Sequence, residues 1–195
     1  TPRRYANPAM NMIFLLLDRM ACRRSDYIWN ISWAMEKARD EELHYDRSKM
    51  GVQLTVPYGV EFRSGLVRSW EEVDKKRVIY CGGLYESNGA LFLPEIAKRL
   101  WDSDPEIKLV IAGSGPLEDR MRERVEVLEL ANVEMLGHIH DLEQLDRLMC
   151  KSVIGLAPYP DVPNSTKKYG DVIKIRSYFS CGLVVVTTHV PPVAR

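Results

Sequence analysis

Hydrophobic and polar positions follow two different rhythms along this chain of 195 residues. The elements predicted for the first part are a helix over 9–24, a strand over 27–32, a helix from Ser32 to about Leu43 and a strand over 53–57. Ser32 is a good N-cap for the second helix, and Pro57 with Gly59 ends the second strand. The polar, irregular segment 60–76 is interpreted as a linker.

From residue 77 onwards, short apolar runs alternate with segments of helical periodicity. Strands are expected over 77–81, 108–112, 133–136, 153–157 and 183–187, and helices over 89–100, 117–130, 142–150 and 173–180. Strands that alternate with helices need crossover connections, which produce a parallel sheet with helices on both faces. The predicted fold class is therefore α/β with a Rossmann-like parallel sheet, whose ligands bind beyond the carboxyl ends of the strands.

Composition and charge exclude little. Hydrophobic residues make up 46% and charged residues 28%, as in an ordinary soluble globular protein. The balance of 27 Lys+Arg against 27 Asp+Glu gives no support for a nucleic-acid partner. The start is nevertheless basic, and two interpretations stay open, a solvated helix face and a peripheral contact with an anionic membrane surface. The residues concerned are Arg3, Arg4, Arg19, Arg23 and Arg24.

The cysteines and the apolar runs predict a cytoplasmic location. The four cysteines lie far apart among apolar neighbours, which is typical of small buried side chains in a reducing compartment. They are Cys22, Cys81, Cys150 and Cys181. No apolar run approaches the roughly 20 residues that span a bilayer, and no signal-peptide pattern is present.

Glycines follow the predicted strands at the edge where a ligand is expected. They are Gly82, Gly83, Gly113, Gly115 and Gly137. Glycine there permits either a tight turn or a close approach of backbone N–H groups to a phosphate, and the sequence leaves both open. The third glycine of a dinucleotide fingerprint is missing after Gly115, which argues against NAD.

A long polar loop over 158–174 is the second place where chemistry is expected. Its polar residues include Tyr159, Asp161, Asn164, Ser165, Lys167, Lys168, Tyr169 and Asp171. Lys174 stands at the entrance of the following helix, where a cation is well placed to bind a diphosphate. The alternative is a mobile surface loop with solvated lysines.

The pair His138 and His140 has a spacing that can bind a metal, but no third ligand is evident and a plain loop is the simpler interpretation. No metal site is therefore expected. No catalytic triad order, zinc-protease sequence or Walker sequence is present, so no catalytic residue is assigned.

Several segments resemble, in the same order along the chain, a family of enzymes. Lys108-Leu-Val-Ile-Ala-Gly-Ser-Gly-Pro-Leu117 is similar to its "l-x-i-x-G-x-G-p" segment, and Lys174-Ile-Arg-Ser-Tyr-Phe-Ser-Cys-Gly-Leu-Val-Val-Val186 to its "K-l-x-E-Y-l-a-x-G-x-P-V-V" segment. Shorter matches lie at 56–60, 78–84, 132–137 and 153–159. The family is the retaining GT-B glycosyltransferases of family 4, and residues 50–190 resemble its C-terminal, donor-binding domain.

The resemblance implies a domain organisation and a reaction. Residues 25–32 resemble a late strand of the family's N-terminal domain, so 1–62 is expected to be the tail of that acceptor-side α/β domain and 63–195 the truncated donor-binding domain. The implied reaction is hexosyl transfer from a nucleoside-diphosphate sugar to an unknown acceptor, such as a glycan, a lipid-linked sugar or a small molecule, in polysaccharide or glycoconjugate synthesis. No cofactor is implied, and the location is cytoplasmic or at the inner face of the membrane.

The resemblance also places the donor. The diphosphate is expected near Gly82, Gly83 and Lys174, and the nucleotide near Gly113, Gly115, His138 and Ser177, with Ser177 at the ribose. Tyr159, Lys168 and Asp171 are further loop candidates.

The chain departs from the family pattern at five positions. The family's diphosphate-binding Arg and Lys correspond to Gly83 and Asn88, its two glutamates to Tyr169 and Ser177, and its proline to Val184. Lys174, with Lys167 or Lys168, is expected to replace the missing cations. These departures leave two alternatives open, a non-catalytic nucleotide- or partner-binding domain and a GT-B sugar-nucleotide epimerase.

Overall fold

The structure is a computed structural model that describes residues 7–62, 66–162 and 165–195. It divides into two compact units. The two-stranded unit contains the chain up to Tyr58 together with Asp161–Val172 and His189–Arg195. The five-stranded unit contains Gly59–Pro160 and Ile173–Thr188.

A parallel sheet with flanking helices forms the five-stranded unit, which confirms the predicted fold class. Its strands are β3 (Asp74–Cys81), β4 (Lys108–Ala112), β5 (Val133–Gly137), β6 (Ser152–Ala157) and β7 (Val184–Thr187). Its helices are α3 (Leu93–Ser103), α4 (Glu118–Val127), α5 (Leu142–Cys150) and α6 (Ile173–Ser180). Every pair of neighbouring strands is parallel.

Burial of the central strand explains why these residues form a sheet core. Val78, Ile79 and Tyr80 of β3 are almost completely buried, as expected for a strand covered by helices on both faces. Leu93 and Ala97 of α3 face the same core, one helical turn apart. The resulting cluster contains apolar residues from β3, β4, β6, α3 and α4.

The order of the strands creates a crevice at one position. In the order β5-β4-β3-β6-β7, the chain moves from β3 outwards to β5 and then returns to place β6 on the other side of β3. Connections therefore leave β3 and β6 in opposite directions, and the carboxyl ends of these two strands form the topological switch point where such sheets bind ligands.

A tyrosine from α6 fills the place where β3 and β6 stop pairing. The ladder between them pairs Val78 with Ile154 and Ile79 with Gly155. Beyond it, the Tyr178 hydroxyl accepts a hydrogen bond from the amide of Cys81 at 2.8 Å and donates one to the carbonyl of Leu156 at 3.1 Å. The phenol thus forms hydrogen bonds with two buried backbone groups that can no longer bond to each other where the strands separate.

The two-stranded unit contains α1 (Pro8–Arg24), β1 (Tyr27–Asn30), α2 (Trp33–Lys37) and β2 (Val52–Thr55), and β1 pairs with β2 in parallel. As predicted, Ser32 caps α2, since its side chain accepts a hydrogen bond from the Met35 amide. A small core of Cys22, Ile28 and Tyr45 holds the unit together.

Most predicted elements are confirmed, several with bounds that differ by one to three residues, and three differ in a way that has a structural reason. β3 begins at Asp74, inside the predicted linker, because its first residues pair at the exposed end of the sheet with the start of β6. The helix predicted from Gly89 starts as two 3-10 turns over 86–92, since Gly89 is left-handed at φ 76°, and α3 begins only at Leu93 with Pro94 in its first turn. The charged helix after Ser32 ends at Lys37 and continues as a π turn over 38–42.

The remaining expectations concern the cysteines, membrane-spanning helices and the division into domains. All four cysteines are buried and unbridged, as predicted. Within the described ranges, no helix is long and apolar enough to cross a membrane. The division into domains at residue 62 stays a prediction. Arg3, Arg4, Asn164 and the linker residues 63–65 lie outside the described residues.

Candidate functional site

The switch point between β3 and β6 carries a lysine. Lys174, the second residue of α6, places its Nζ 3.8 Å from the centre of the Tyr80 ring and 5.3 Å from the centre of the Tyr159 ring. Its Cε and Nζ lie beside the first glycine turn, because a Cβ on Gly82 would be 2.9 Å from both atoms. The structure therefore brings together Gly82 and Lys174, two residues expected to hold a diphosphate, and adds two aromatic rings to them.

The glycine turns after β3, β4 and β5 form one layer along the carboxyl edge of the sheet. Gly82 donates its amide to the Ala112 carbonyl at 2.9 Å, and Gly113 donates to the Gly137 carbonyl at 2.7 Å. A Cβ on Gly113 would lie 2.0 Å from the Gly82 carbonyl oxygen. Close packing between the turns thus already requires glycine at position 113, whether or not a ligand binds there.

The second turn residue is held by two side chains. The Gly83 carbonyl accepts hydrogen bonds from the Tyr80 hydroxyl at 3.0 Å and from Asn88 Nδ2 at 2.9 Å. Among the residues that the structure describes, the amides of Gly83, Ser114 and Gly115 donate no hydrogen bond to the protein. These three N–H groups follow β3 and β4, so they are available to an anionic oxygen at the edge of the sheet.

Tyr159 is buried rather than a polar member of an exposed loop, which corrects its expected setting. It follows β6, its exposure is 2%, and burial raises the pKa of its hydroxyl to about 12. Its carbonyl accepts a hydrogen bond of 2.6 Å from the Thr188 hydroxyl after β7, which fixes its backbone. Tyr159 is therefore part of the wall of the crevice, opposite Tyr80 across Lys174.

His138 follows β5, at the outer edge of the sheet, and is exposed. Its ring packs edge-to-face against His140, with 4.4 Å between the ring centres. Since neighbouring strands are about 4.8 Å apart, two strand spacings separate this turn from Gly82, roughly 10 Å. In the described part of the chain, no group of three or more His, Cys, Asp or Glu side chains could hold a metal.

Ser177 stands three residues after Lys174 on α6 and is half-buried. Residues three apart share one face of a helix, so Ser177 and Lys174 point to the same side of α6. The expected ribose-binding residue and the expected diphosphate-binding residue are thus neighbours on a single helix.

The remaining loop candidates belong to the two-stranded unit. Asp171 is buried there and accepts a hydrogen bond from the Tyr58 amide at 2.8 Å, which ties two segments of that unit together. Lys168 lies 4.7 Å from the ring centre of Tyr169, whose hydroxyl donates to Glu42 at 2.6 Å. Lys167 is half-buried, and this burial lowers its pKa. Asp171 and Lys168 therefore make these contacts within the two-stranded unit, and not at the crevice of the five-stranded unit.

Two residues of the crevice, Tyr80 and Tyr178, were not among the predicted site residues, and Asn88 was named only as the position of the family's lysine. Tyr80 underlies Lys174, Tyr178 bridges the separated strands, and Asn88 holds the glycine turn. The sequence did contain a signal for Tyr80, which lies two residues before Gly82. Alternate residues of a strand lie on one face, so Tyr80 could be expected on the same side as the glycine turn. Tyr178 stands at the tyrosine of the family's "K-l-x-E-Y" segment, but nothing local indicated its partner Cys81, which is 97 positions away.

Comparison with known families identifies this arrangement. The family described as "Glycosyl transferases group 1" matches residues 75–195, which include all five strands of the sheet except the first residue of β3. The chain belongs to this family. Its sheet is the Rossmann-like half of a GT-B fold, as the resemblance in the sequence implied.

Two curated relatives and one solved structure show how far the similarity extends. A GDP-mannose-dependent alpha-(1-6)-phosphatidylinositol dimannoside mannosyltransferase of Mycobacterium tuberculosis is 29% identical over 131 residues, 63% of this chain and 33% of that protein. A phosphatidylinositol N-acetylglucosaminyltransferase gpi3 subunit of Schizosaccharomyces pombe is 32% identical over 117 residues, 58% of this chain and 23% of that protein. This chain therefore spans about a third or less of the length of these relatives.

The solved structure is a pneumococcal O-GlcNAc transferase in complex with UDP and GlcNAc. It superposes with a TM-score of 0.73 at 15% identity, over 90% of this chain and 32% of that chain. At this identity, the similarity supports the fold alone.

Proposed function

We propose that this chain forms the donor-binding part of a hexosyltransferase that uses a nucleoside-diphosphate sugar. The bond between the anomeric carbon and the diphosphate oxygen breaks, a bond from that carbon to an acceptor hydroxyl oxygen forms, and the hydroxyl proton leaves with the nucleoside diphosphate. Membership of the family and the transferase names of both curated relatives support transfer over the non-catalytic domain and the epimerase.

The observation that carries this proposal is the position of Lys174 beside the Gly82 turn. A nucleoside diphosphate leaves with more negative charge than it carried as a sugar ester, so a fixed cation and fixed N–H dipoles stabilise the transition state. Lys174 supplies the cation at the topological switch point, and the amides of Gly83, Ser114 and Gly115 supply the dipoles. The lysine would replace the family's cation pair, whose positions hold Gly83 and Asn88 here.

The nucleoside would extend from this point along the carboxyl edge of the sheet. The turns at Gly113, Gly115 and His138 are the proposed contacts of the base, and Ser177 the proposed contact of the ribose. The separation of roughly 10 Å between the Gly82 and Gly137 turns suits a nucleoside attached to a diphosphate. Retention of configuration is part of the proposal, and it follows from the resemblance to family 4.

Neither a metal nor a cofactor is needed in this proposal, because lysine and backbone amides neutralise the diphosphate. The acceptor would bind outside the five-stranded unit, and both curated relatives carry phosphatidylinositol in their names. Arg23 and Arg24, exposed at the end of α1, are the proposed peripheral contacts with the inner face of a membrane. Arg19 is engaged differently, since its guanidinium lies 4.8 Å from the Tyr45 ring centre.

The test is nucleotide binding to this chain, measured as the shift in melting temperature with UDP, GDP, ADP and NAD. A ligand at about 100 times its Kd should stabilise the folded state by about 2.7 kcal/mol. We expect a shift with one nucleoside diphosphate, a smaller one in Lys174→Met, and an unchanged one in Lys98→Met, whose lysine pairs with Asp102 on α3. No shift with any nucleoside diphosphate, or an equal shift with NAD, would overturn the proposal.

A further inference from the structure

The Lys174 side chain packs against two aromatic rings, which diphosphate binding by a lysine does not by itself require. Its ammonium lies against two aromatic rings, Tyr80 at 3.8 Å and Tyr159 at 5.3 Å from the ring centres. Both tyrosines are almost completely buried, with exposures of 0% and 2%. A flexible lysine side chain carries much rotamer freedom, so an exposed lysine at a helix start would not keep one position.

The two tyrosines are held by contacts other than Lys174. The Tyr80 hydroxyl donates to the Gly83 carbonyl, and the Tyr159 backbone is held by the Thr188 hydroxyl. Tyr80 is the penultimate residue of the central strand, while Tyr159 follows β6 on the other side of the crevice. The rings therefore come from the sheet and from the turn after it, whereas Lys174 belongs to α6.

We propose that Tyr80 and Tyr159 are positioning residues that hold the Lys174 ammonium at the diphosphate site through cation–π contacts. This inference rests on the proposed function, and it names what replaces the missing cation pair. A cation above an aromatic face is attracted to the negative ring quadrupole, and the attraction increases when water is excluded. The two rings would hold one lysine in place at the diphosphate, where the family pattern has an arginine and a lysine.

Tyr80 also couples the cation to the glycine turn. The same side chain contacts Lys174 with its ring and the Gly83 carbonyl with its hydroxyl. Orienting that carbonyl fixes the peptide between Gly83 and Leu84, whose amide donates to the Ser114 carbonyl at 3.0 Å. One tyrosine thus contacts both the ammonium and the turn that carries the Gly83 amide.

The test separates the diphosphate from the rest of the nucleotide. Affinities of the chain for UDP, GDP and ADP are compared with those for uridine, guanosine and adenosine, and the base with the tightest diphosphate binding is used throughout. Tyr159→Leu removes the ring, and Tyr159→Phe keeps it. We expect the ratio of nucleoside to diphosphate Kd to fall by about three- to thirty-fold in Tyr159→Leu and to stay as in the wild type in Tyr159→Phe.

A second series covers the case in which Tyr159→Leu does not fold. Phenylalanines with one, two and three ring fluorines at position 159 keep the shape of the ring and weaken its quadrupole stepwise. We expect the diphosphate affinity to fall stepwise along this series while the nucleoside affinity stays constant. A merely structural role for Tyr159 would change the melting temperature without moving this ratio.

The outcomes distinguish this inference from the proposed function. Diphosphate binding by the wild type with a constant ratio along the fluorine series overturns the positioning role alone. Absence of diphosphate binding by the wild type overturns the proposed function, and the positioning role with it.

Discussion

The aromatic ring of Tyr178 fills the space that a side chain at Gly155 would need, because a Cβ there would lie 2.5 Å from the ring atoms Cγ and Cδ2. Gly155 is the last residue of β6 that pairs with β3, and Tyr178 bonds to the backbone just beyond it. A glycine on one strand thus allows a tyrosine from α6 to enter between two strands. This insertion keeps the backbone satisfied where the crevice opens.

Replacing Gly155 with alanine should destabilise the chain by about 1–3 kcal/mol, because the added methyl group forces the Tyr178 ring out of place. Urea unfolding followed by circular dichroism measures the change. Gly59→Ala is the matched control, since a Cβ at Gly59 meets nothing within 4 Å. Equal midpoints for the two variants would show that the ring adjusts without cost.

Removing only the Tyr178 hydroxyl should also cost about 1–3 kcal/mol. In Tyr178→Phe the ring still fills its space, but the Cys81 amide and the Leu156 carbonyl lose their shared partner in a buried position. Tyr27→Phe, at a side chain that is 69% exposed, is the control and should change the stability by less than about 0.5 kcal/mol. A Tyr178→Phe variant as stable as the wild type would mean that the two backbone groups find each other or water.

The glycines of the turn layer should differ in their tolerance of alanine. Gly113 and Gly137 both have positive φ, 151° and 68°, but only Gly113 is packed against another turn, 2.0 Å from the Gly82 oxygen. Gly137→Ala should cost about 1–2 kcal/mol from backbone strain alone. Gly113→Ala should cost about 3 kcal/mol or more, since the clash adds to the strain. Unfolding midpoints of the two variants check this order, which a similar loss in both would contradict.

Stability should fall at alkaline pH because buried groups keep their protons. Burial raises the pKa of the Cys81 thiol to about 12 from its ordinary 9.0, and that of Tyr159 to about 12 from 10.0. Below pH 9 both groups are protonated in the folded and unfolded chains, and the neutral buried forms contribute fully. Between pH 9 and 12 the unfolded chain releases protons that the folded chain retains, so the free energy of unfolding decreases.

Urea midpoints between pH 7 and 11 measure this dependence. Cys81→Ala removes one of the titrating groups and should make the decrease above pH 9 shallower. A pH dependence identical to that of the wild type would show that the Cys81 thiol is accessible to ionisation in the folded chain.

Local pattern was enough to predict much of the fold. Apolar runs of five or six residues identified β4 and β6, and helical spacing with the Asp141 cap gave α5 its observed bounds. Glycines after the strands marked the carboxyl edge of the sheet, because a parallel sheet places all carboxyl ends together. Lys174 could be assigned to this edge because it begins a helix that follows a strand and a loop.

Tertiary structure alone decided which residues surround that lysine. Periodicity does not state on which side of β3 a later strand pairs, so the switch point between β3 and β6 could not be read from it. Tyr80 and Tyr159 lie 94 and 15 positions before Lys174 in the chain. They meet it because β6 joins β3 on that side. The sequence by itself determined the elements and the edge at which their glycines lie through local spacing. The crevice at that edge depends on contacts between residues far apart in the chain, which spacing does not encode.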